Sequence, residues 1–208
     1  MHRVRSGVVV ALVSLVAVCA AGAAGGAEPT PKRDKLEGIA LVWKPTTRPS
    51  ELGPVNITGL SAVRLQVGPF TDGRANPASI GQNREEPRVR KVSTVNDVPA
   101  FVADRMRRII AGMGIATVDA GGTHVLKGEV KQFFVDETSR YQSEVVVEVT
   151  LTNASGKTLW TGSTNGSATR FGRSYKADNY FETLSDALLQ ATFYLVKNPT
   201  FHDALAKP

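Results

Sequence analysis

Residues 144–158 read EVVVEVTLTNASGKT, and this stretch decides the fold of the chain. Its first part places an apolar side chain at every second position, at Val145, Val147, Val149 and Leu151. A period of two is typical of a strand with one buried face. The segment NASG at 153–156 predicts a turn, after which residues 157–170 return as a second strand. Two registers stay open, with either Leu159 or Trp160 on the face of Leu151, because a slip of one residue reverses the faces.

Upstream of this hairpin, residues 98–113 predict an amphipathic helix. Either Asn96 or Asp97 can cap its first turn, which tolerates Pro99. The glycines at positions 112 and 114 predict its end. Its apolar side chains recur at helical spacing and are Val98, Phe101, Val102, Met106, Ile109, Ile110 and Met113.

Downstream of the hairpin, residues 180–196 predict a second amphipathic helix. One side of this helix carries Phe181, Leu184, Leu188, Ala191 and Leu195. The pair Asn198-Pro199 is expected to end it, because the residue before a proline is disfavoured in helical conformation. Thr200 is expected to cap one last turn that runs through Leu205.

Three further segments have the pattern of strands: 63–67, a weak and charged region at 80–92, and 125–135. The predicted order of elements is therefore β-β-α-β-β-β-α. Short turns between consecutive strands favour antiparallel pairing, and two amphipathic helices need a sheet face to cover. We therefore predict an α+β fold, a two-layer sandwich in which an antiparallel sheet carries two helices on one face. A single domain over residues 60–206 accounts for these elements.

The first 27 residues have the organisation of a secretory signal peptide. Arg3 and Arg5 form a positive start, an apolar run follows at 8–18, and small residues fill 20–27. The apolar run is too short to cross a bilayer, which takes roughly 20 apolar residues. We therefore expect an exported protein that works in the periplasm or cell envelope.

Residues 28–59 are rich in proline, threonine and charge, a composition typical of an extended tether. Within this segment, residues 39–43 are apolar enough to add a short edge strand, and Pro45 ends that strand. The tether is thus expected to lead from the signal peptide into the α+β domain.

Cys19 is the one cysteine of the chain and is a possible lipidation site. A lipoprotein signal requires a small residue directly before the cysteine, whereas Val18 stands there. Cleavage near Ala23 or Ala27 by ordinary signal peptidase fits the small residues better. A free periplasmic product is therefore favoured, with anchoring at the outer membrane through Cys19 as the alternative. In either case the sequence offers no disulfide within the mature domain.

The charge of the chain excludes some partner classes. The 208 residues carry a net charge of +6, and removal of the signal peptide takes away Arg3 and Arg5 and leaves +4. This mild excess favours anionic neighbours such as lipid headgroups or cell-wall polymers. It lacks the dense basic stripe of a nucleic-acid-binding protein. The candidate partners are therefore an envelope protein, an anionic lipid or a cell-wall polymer, and no nucleic acid.

Sequence motifs predict no catalytic, cofactor-binding or metal-ligating residue. The segment SGKT at 155–158 matches the end of a phosphate-binding loop, but Leu151 stands where that loop needs glycine, and a strand follows instead of a helix. His124 and His202 lack the partners of a metal site and are expected to be surface or capping residues. Asp136 and Glu137 point to opposite faces of a strand, so we expect a solvated strand end rather than an acid–base pair.

The densest charged segment contains Arg84, Arg88, Arg90 and Lys91, with two glutamates among them. One interpretation is a polar sheet edge that discourages pairing between molecules. The functional alternative is an anion-facing rim formed by the four basic side chains.

Several stretches resemble the YajG-type family of small bacterial envelope lipoproteins. They are Phe101–Gly114, His124–Val130, Arg140–Glu144, Asn153–Lys157, Pro199–Asp203, and the opening of Val67–Gly81 with Asp72, Arg74 and Gly81. The resemblance covers most of residues 60–205 and implies an envelope protein without known enzymatic activity, so it carries over no catalytic residue. The chain departs from the family at Val18.

We therefore expect a non-enzymatic domain of the periplasm or cell envelope that binds another envelope component. One alternative is a lipid or small-molecule carrier with a pocket between helix and sheet. Related two-layer domains occur in auxiliary lipoproteins of transport systems, so an auxiliary component of such a system is a further alternative. A hydrolase assembled from distant residues is the weakest hypothesis.

Overall fold

The structure, a computed structural model, describes residues 34–207; the predicted signal peptide and Cys19 lie outside this range. None of the described helices is long and apolar enough to cross a membrane. In chain order the elements are β1 Leu65–Asp72, β2 Ser79–Asn83, β3 Arg90–Ser93, α1 Val98–Gly112, β4 Thr117–Val118, β5 His124–Glu137, β6 Arg140–Asn153, β7 Thr158–Phe171, α2 Ala177–Lys197 and α3 Pro199–Leu205.

The strands form one sheet organised around β5. Along one side β5 pairs antiparallel with the whole of β6, which in turn pairs with β7 at the sheet edge. Along its other side β5 pairs in parallel with β1 through its first half and with β2 through its last residues. The strand β3 pairs with β2, and β4 with β1. The predicted two-layer α+β sandwich is confirmed, with α1 packed on β1 and β5 and α2 on β6 and β7.

The sheet is mixed rather than antiparallel throughout. The strands β1 and β2 precede α1, and the chain returns to the sheet only after that helix. Such a crossover lets a later strand run in the same direction as an earlier one, whereas tight hairpins cannot. The weak strand region at 80–92 is in fact two strands, β2 and β3, which form an antiparallel pair of their own.

The register of the β6–β7 hairpin places Leu151 opposite Trp160. Next to this pair the register shifts by one residue, so that Thr152 lies opposite Thr158. A bulge at this point accommodates the extra residue. Trp160 therefore shares the helix-covered face with the valine ladder. Its ring packs edge-on against Phe201, with the ring centroids 5.2 Å apart.

The helix ends follow their capping residues. The side chain of Asp97 accepts a hydrogen bond from the backbone N–H of Ala100 and starts α1, as one of the two predicted caps. The predicted cap Thr200 of the last turn is wrong: Asn198 fills that position and accepts hydrogen bonds from the N–H groups of Thr200 and Phe201. A proline follows Asn198, so its fixed φ suits the first position of α3.

Residues 36–55 form what we call the strap, an extended segment that crosses the helix layer. The compact unit that contains the sheet and the helices begins shortly before residue 36. The strap, although part of the predicted tether, therefore belongs to this unit. Leu36 is buried, and Ile39 makes a single parallel bridge to Thr94 in place of the predicted edge strand. Further along, Pro49–Leu52 forms one 3₁₀ turn.

Candidate functional site

The predicted anion-facing rim is largely balanced by acidic neighbours. Three of its side chains have ion-pair partners: Arg84 with Asp136, Arg88 with Asp34 at 3.0 Å, and Arg90 with Glu86 at 3.3 Å. Lys91 is exposed, and its backbone N–H donates to Asp34. The guanidinium of Arg90 also stacks on Tyr175, 4.5 Å from the ring centroid. These pairings favour the polar-edge interpretation, and the rim stays a prediction.

The two neighbouring carboxylates at the end of β5 point to opposite faces, as expected. Asp136 lies beside Arg84 and Gln82 on the solvent side. The expected solvated strand end is wrong for Glu137, which is fully buried. Burial of this residue was not expected from the sequence because three of its hydrogen-bond donors, Ser174, Tyr175 and Tyr180, lie 37 to 43 residues away along the chain.

Glu137 holds the segment that leads from β7 into α2. Its Oε1 accepts hydrogen bonds from the backbone N–H groups of Ser174 at 3.2 Å and Tyr175 at 2.9 Å, and its Oε2 accepts from the Tyr180 hydroxyl at 2.6 Å. Burial by itself raises the pKa of Glu137, but hydrogen bonding from Tyr141 and Tyr180 outweighs burial and the pKa lies below its ordinary value. Tyr175 has a φ of 42°, an unfavourable angle that these contacts enforce. Glu137 is therefore an anchor for this segment.

His124 is buried rather than a surface residue. Its ring lies 3.0 Å from the Thr123 hydroxyl and 2.9 Å from the backbone oxygen of Lys207, so it ties the end of α3 to β5. His202 lies in α3, partly buried. Within residues 34–207, no group of three His, Cys, Asp or Glu side chains is placed to hold a metal ion.

The strongest candidate site is an apolar groove of about 420 Å³ between the strap and the two long helices. This volume lies within the range of small-molecule sites, about 300–1,000 Å³. The strap forms one wall, α1 the other and α2 the floor. We call this cavity the groove. Its lining residues are Trp43, Pro45, Pro49, Gly53, Val55, Arg105, Arg108, Ile109, Gly112, Met113, Leu189 and Phe193.

Hydrogen bonds from the strap to the outer side of α2 create this groove. Asp186 accepts from the N–H and the hydroxyl of Thr46, at 2.8 and 2.6 Å, and from the N–H of Thr47 at 2.8 Å. The N–H of Lys44 donates to the Ser185 hydroxyl at 2.9 Å. The strap is therefore held on α2 near Lys44, while Trp43 and the prolines stand beside α1.

The polar groups of the groove are two arginines, and none of its twelve lining residues is acidic. The guanidinium of Arg105 lies 5.9 Å from the Trp43 ring centroid and 5.2 Å from that of Phe101. Its Nε is buried and donates no hydrogen bond, with the nearest acidic oxygen, on Asp104, 3.7 Å away. Arg108 is 62% exposed and bonds Asp104 at 2.9 Å.

Asp104 is shared among three arginines of α1. Burial raises the pKa of this carboxyl, and hydrogen bonds from Arg108 and Arg107 outweigh it, so the pKa lies below its ordinary value. Asp119 is a second acidic partner, 3.8 Å from Arg107, so two carboxylates balance part of the charge of Arg105, Arg107 and Arg108. The side of the groove formed by α1 keeps an excess of positive charge.

Comparison with solved structures places this architecture among known folds. A Xanthomonas campestris protein of the DUF330 family superposes with a TM-score of 0.53 at 16% identity, over 79% of this chain and 95% of that one. The two proteins share a fold. At this identity the likeness concerns the fold alone, and it agrees with the two-layer architecture that the sequence predicts.

Two other structures are similar at lower scores. PelC of Paraburkholderia phytofirmans, which was crystallised as a dodecamer, gives a TM-score of 0.38 at 13% identity, over 64% of this chain and 86% of PelC. A candidate lipoprotein of Caulobacter crescentus gives 0.38 at 12% identity, over 62% and 92%. No protein family and no curated protein sequence matches this chain. The YajG-type resemblance stays a prediction.

Sequence reasoning placed a carrier pocket between helix and sheet, whereas the groove lies between the helices and the strap. The available signal was the apolar run 39–43, which ends in Trp43 and is followed by Pro45 and Pro49. A short apolar run in a proline-rich segment is also compatible with an edge strand within a tether. The acceptor side chains of Ser185 and Asp186, 141 and 140 residues away from their donors in the strap, show that the strap is docked.

We expect Asp186→Ala to release the strap from α2 while the rest of the fold persists. Hydrogen bonds to a charged acceptor contribute about 1.5–3 kcal/mol each, and part of this is regained from water. Amide hydrogen exchange at Thr46 and Thr47 should therefore accelerate roughly 30-fold, which corresponds to about 2 kcal/mol of local opening.

Asp178→Asn is the matched control for this prediction, because Asp178 also contacts the strap through Lys44 but is mostly exposed. It should leave exchange at Thr46 and Thr47 unchanged. Equal protection of these amides in wild type and Asp186→Ala would show that other contacts hold the strap.

Proposed function

We propose that this chain is a non-enzymatic domain of the bacterial cell envelope that binds another envelope component through the groove. The observation that carries the proposal is the groove itself, an apolar concavity of about 420 Å³ whose wall is a segment docked by partly buried hydrogen bonds. Monomeric proteins place apolar residues in such concavities mainly where a ligand or partner binds. The leader-like first 27 residues support the envelope as the place of action.

The geometry of the groove favours a component that inserts into it over one that docks on a flat surface. A flat protein interface typically needs about 800 Å² on each partner and a broad apolar centre. Val95 and Phe171, two of the large exposed apolar side chains of the described residues, lie outside the groove and apart in sequence. A ligand that enters a narrow groove therefore agrees best with the geometry.

The test uses a single cysteine introduced at Val55, within the groove, and labelled with a photo-crosslinker. The mature chain is otherwise free of cysteine if cleavage follows Cys19. The labelled protein is exported in a Gram-negative host and irradiated, and crosslinked species are identified by mass spectrometry. We expect a defined envelope lipid or protein at Val55 and none from a label at Thr161 on the exposed sheet edge.

Two variants sharpen this test. Gly112→Leu adds a side chain where a Cβ meets nothing within 4 Å and reduces the groove, so it should suppress the crosslink. Ala111→Leu adds the same side chain one position earlier, outside the lining, and should leave the crosslink intact. Equal crosslinking from Val55 and Thr161, or robust turnover of generic ester, phosphate or glycoside probes, would overturn the proposal.

A further inference from the structure

We infer that the ligand of the groove is a single-chain amphiphile with one anionic head group, which Arg105 recognises. This inference rests on the proposed function and specifies its ligand class. Three properties of the groove carry it: its apolar interior, its two arginines with no acidic residue in the lining, and the scarcity of free backbone N–H groups in its strap wall.

The apolar interior fits a hydrocarbon chain. Ile109 of α1 and Met113, directly after α1, line the groove together with Leu189 and Phe193 of α2, and Trp43 and Val55 line it from the strap. Transfer of a methylene group from water into such surroundings is favourable, and the gain grows with each group buried. The volume of about 420 Å³ lies near the lower end for ligand sites, which favours one chain over two.

The cations fix the charge of the head group. Arg105 has a buried Nε without a hydrogen-bond acceptor, and a buried donor left unpaired is costly. A carboxylate or phosphate oxygen placed beside Arg105 would accept from this group and would meet the exposed guanidinium of Arg108. Because the lining holds no acidic residue, the groove itself supplies no such oxygen.

The strap wall disfavours an extended peptide as the occupant. A bound peptide strand draws affinity from main-chain hydrogen bonds to an adjacent strand. Pro45 and Pro49 have no N–H to donate, and the N–H groups of Lys44, Thr46 and Thr47 are already bonded to α2. A hydrocarbon chain needs none of these bonds.

Trp43 reports occupancy of the groove directly. The chain has two tryptophans, and the other, Trp160, lies against Phe201 near the start of β7 and outside the groove lining. In a Trp160→Phe background, fluorescence of Trp43 is titrated with dodecanoate, dodecyl phosphate, dodecanol and inorganic phosphate, each below its micelle concentration. Native mass spectrometry gives the stoichiometry.

We expect saturable one-to-one binding of dodecanoate and dodecyl phosphate, binding of dodecanol about tenfold weaker, and no response to inorganic phosphate. Arg105→Gln should lower the affinity for dodecanoate to that for dodecanol and leave dodecanol unchanged. Arg64→Gln, a charge-matched control at an exposed site outside the groove, should change neither affinity. Gly112→Leu should weaken all three chain ligands.

Each contrary result has a distinct meaning. Equal affinities for dodecanoate and dodecanol, or inorganic phosphate binding as tightly as dodecyl phosphate, would overturn the anionic amphiphile. Absence of binding by all chain ligands, with a protein crosslink at Val55 that Gly112→Leu abolishes, would overturn the ligand class and leave the proposed function standing. Absence of both the binding and the crosslink would overturn both.

Discussion

Replacement of Glu137 by alanine should cost the domain about 4 kcal/mol of unfolding free energy. The carboxylate accepts hydrogen bonds from Ser174, Tyr175 and Tyr180 in a fully buried position. Its removal leaves the Tyr175 N–H and the Tyr180 hydroxyl without an acceptor, each costing about 1–3 kcal/mol, and also opens a small cavity, whereas the Ser174 N–H keeps the Tyr141 hydroxyl as a second acceptor. Since domains of this size are stable by about 5–15 kcal/mol, the loss is a large share of the total.

Chemical denaturation followed by circular dichroism measures this loss, and Asp136→Asn is its control. The two residues are adjacent carboxylates on the same strand, yet Asp136 faces solvent beside Arg84. The control should unfold close to wild type. Similar midpoints for Glu137→Ala and Asp136→Asn would show that water or neighbouring groups replace the buried acceptor.

The pH dependence of Glu137→Gln tests whether the charge itself is stabilising. The native pKa of Glu137 lies below its ordinary value of 4.5, which approximates the unfolded chain. The stabilisation from the carboxylate is therefore complete above that value and is lost as the pH falls through the native pKa. The free-energy difference between wild type and Glu137→Gln should be level near neutral pH and shrink in acid.

The periodic elements could be predicted from the sequence because their signals are local. The alternation in β6 and the helical spacing in α1 each lie within one element, and the cap at Asp97 acts on the next turn. The register of Trp160 could not be chosen, because a bulge beside Leu151 alters the residue count of the hairpin. The parallel pairing of β1 with β5 depends on a crossover, whose outcome no single segment encodes.

The candidate site could not be predicted for a related reason. Its wall is the strap, whose composition is that of a tether, and its docking depends on Asp186 and Ser185 in the middle of a helix. On an amphipathic helix, such polar residues are expected to mark the solvent face. Here the polar face of α2 is buried under the strap, so the same residues indicate a contact instead.

Replacement of Gly166 by alanine should destabilise the domain by about 3 kcal/mol, because α2 crosses directly over this residue. A Cβ at position 166 would overlap the carbonyl oxygen of Ala187 and come within 2.6 Å of the amide nitrogen of Ala191. Both are backbone atoms in the middle of α2, so relief requires the helix to move away from the sheet. No rotamer change can supply that movement.

Gly112→Ala is the matched control, because a Cβ at Gly112 meets nothing within 4 Å and the same methyl group is added. Thermal unfolding should show a lowered midpoint for Gly166→Ala and a midpoint near wild type for Gly112→Ala.

The close approach of α2 to β7 is also held by Thr164, whose buried hydroxyl donates to the carbonyl oxygen of Ala191 at 2.6 Å. A helix displaced by the added methyl would lengthen that bond, so the clash and the loss of the hydrogen bond act together. Wild-type stability in Gly166→Ala would mean that α2 lies farther from β7 than these contacts place it.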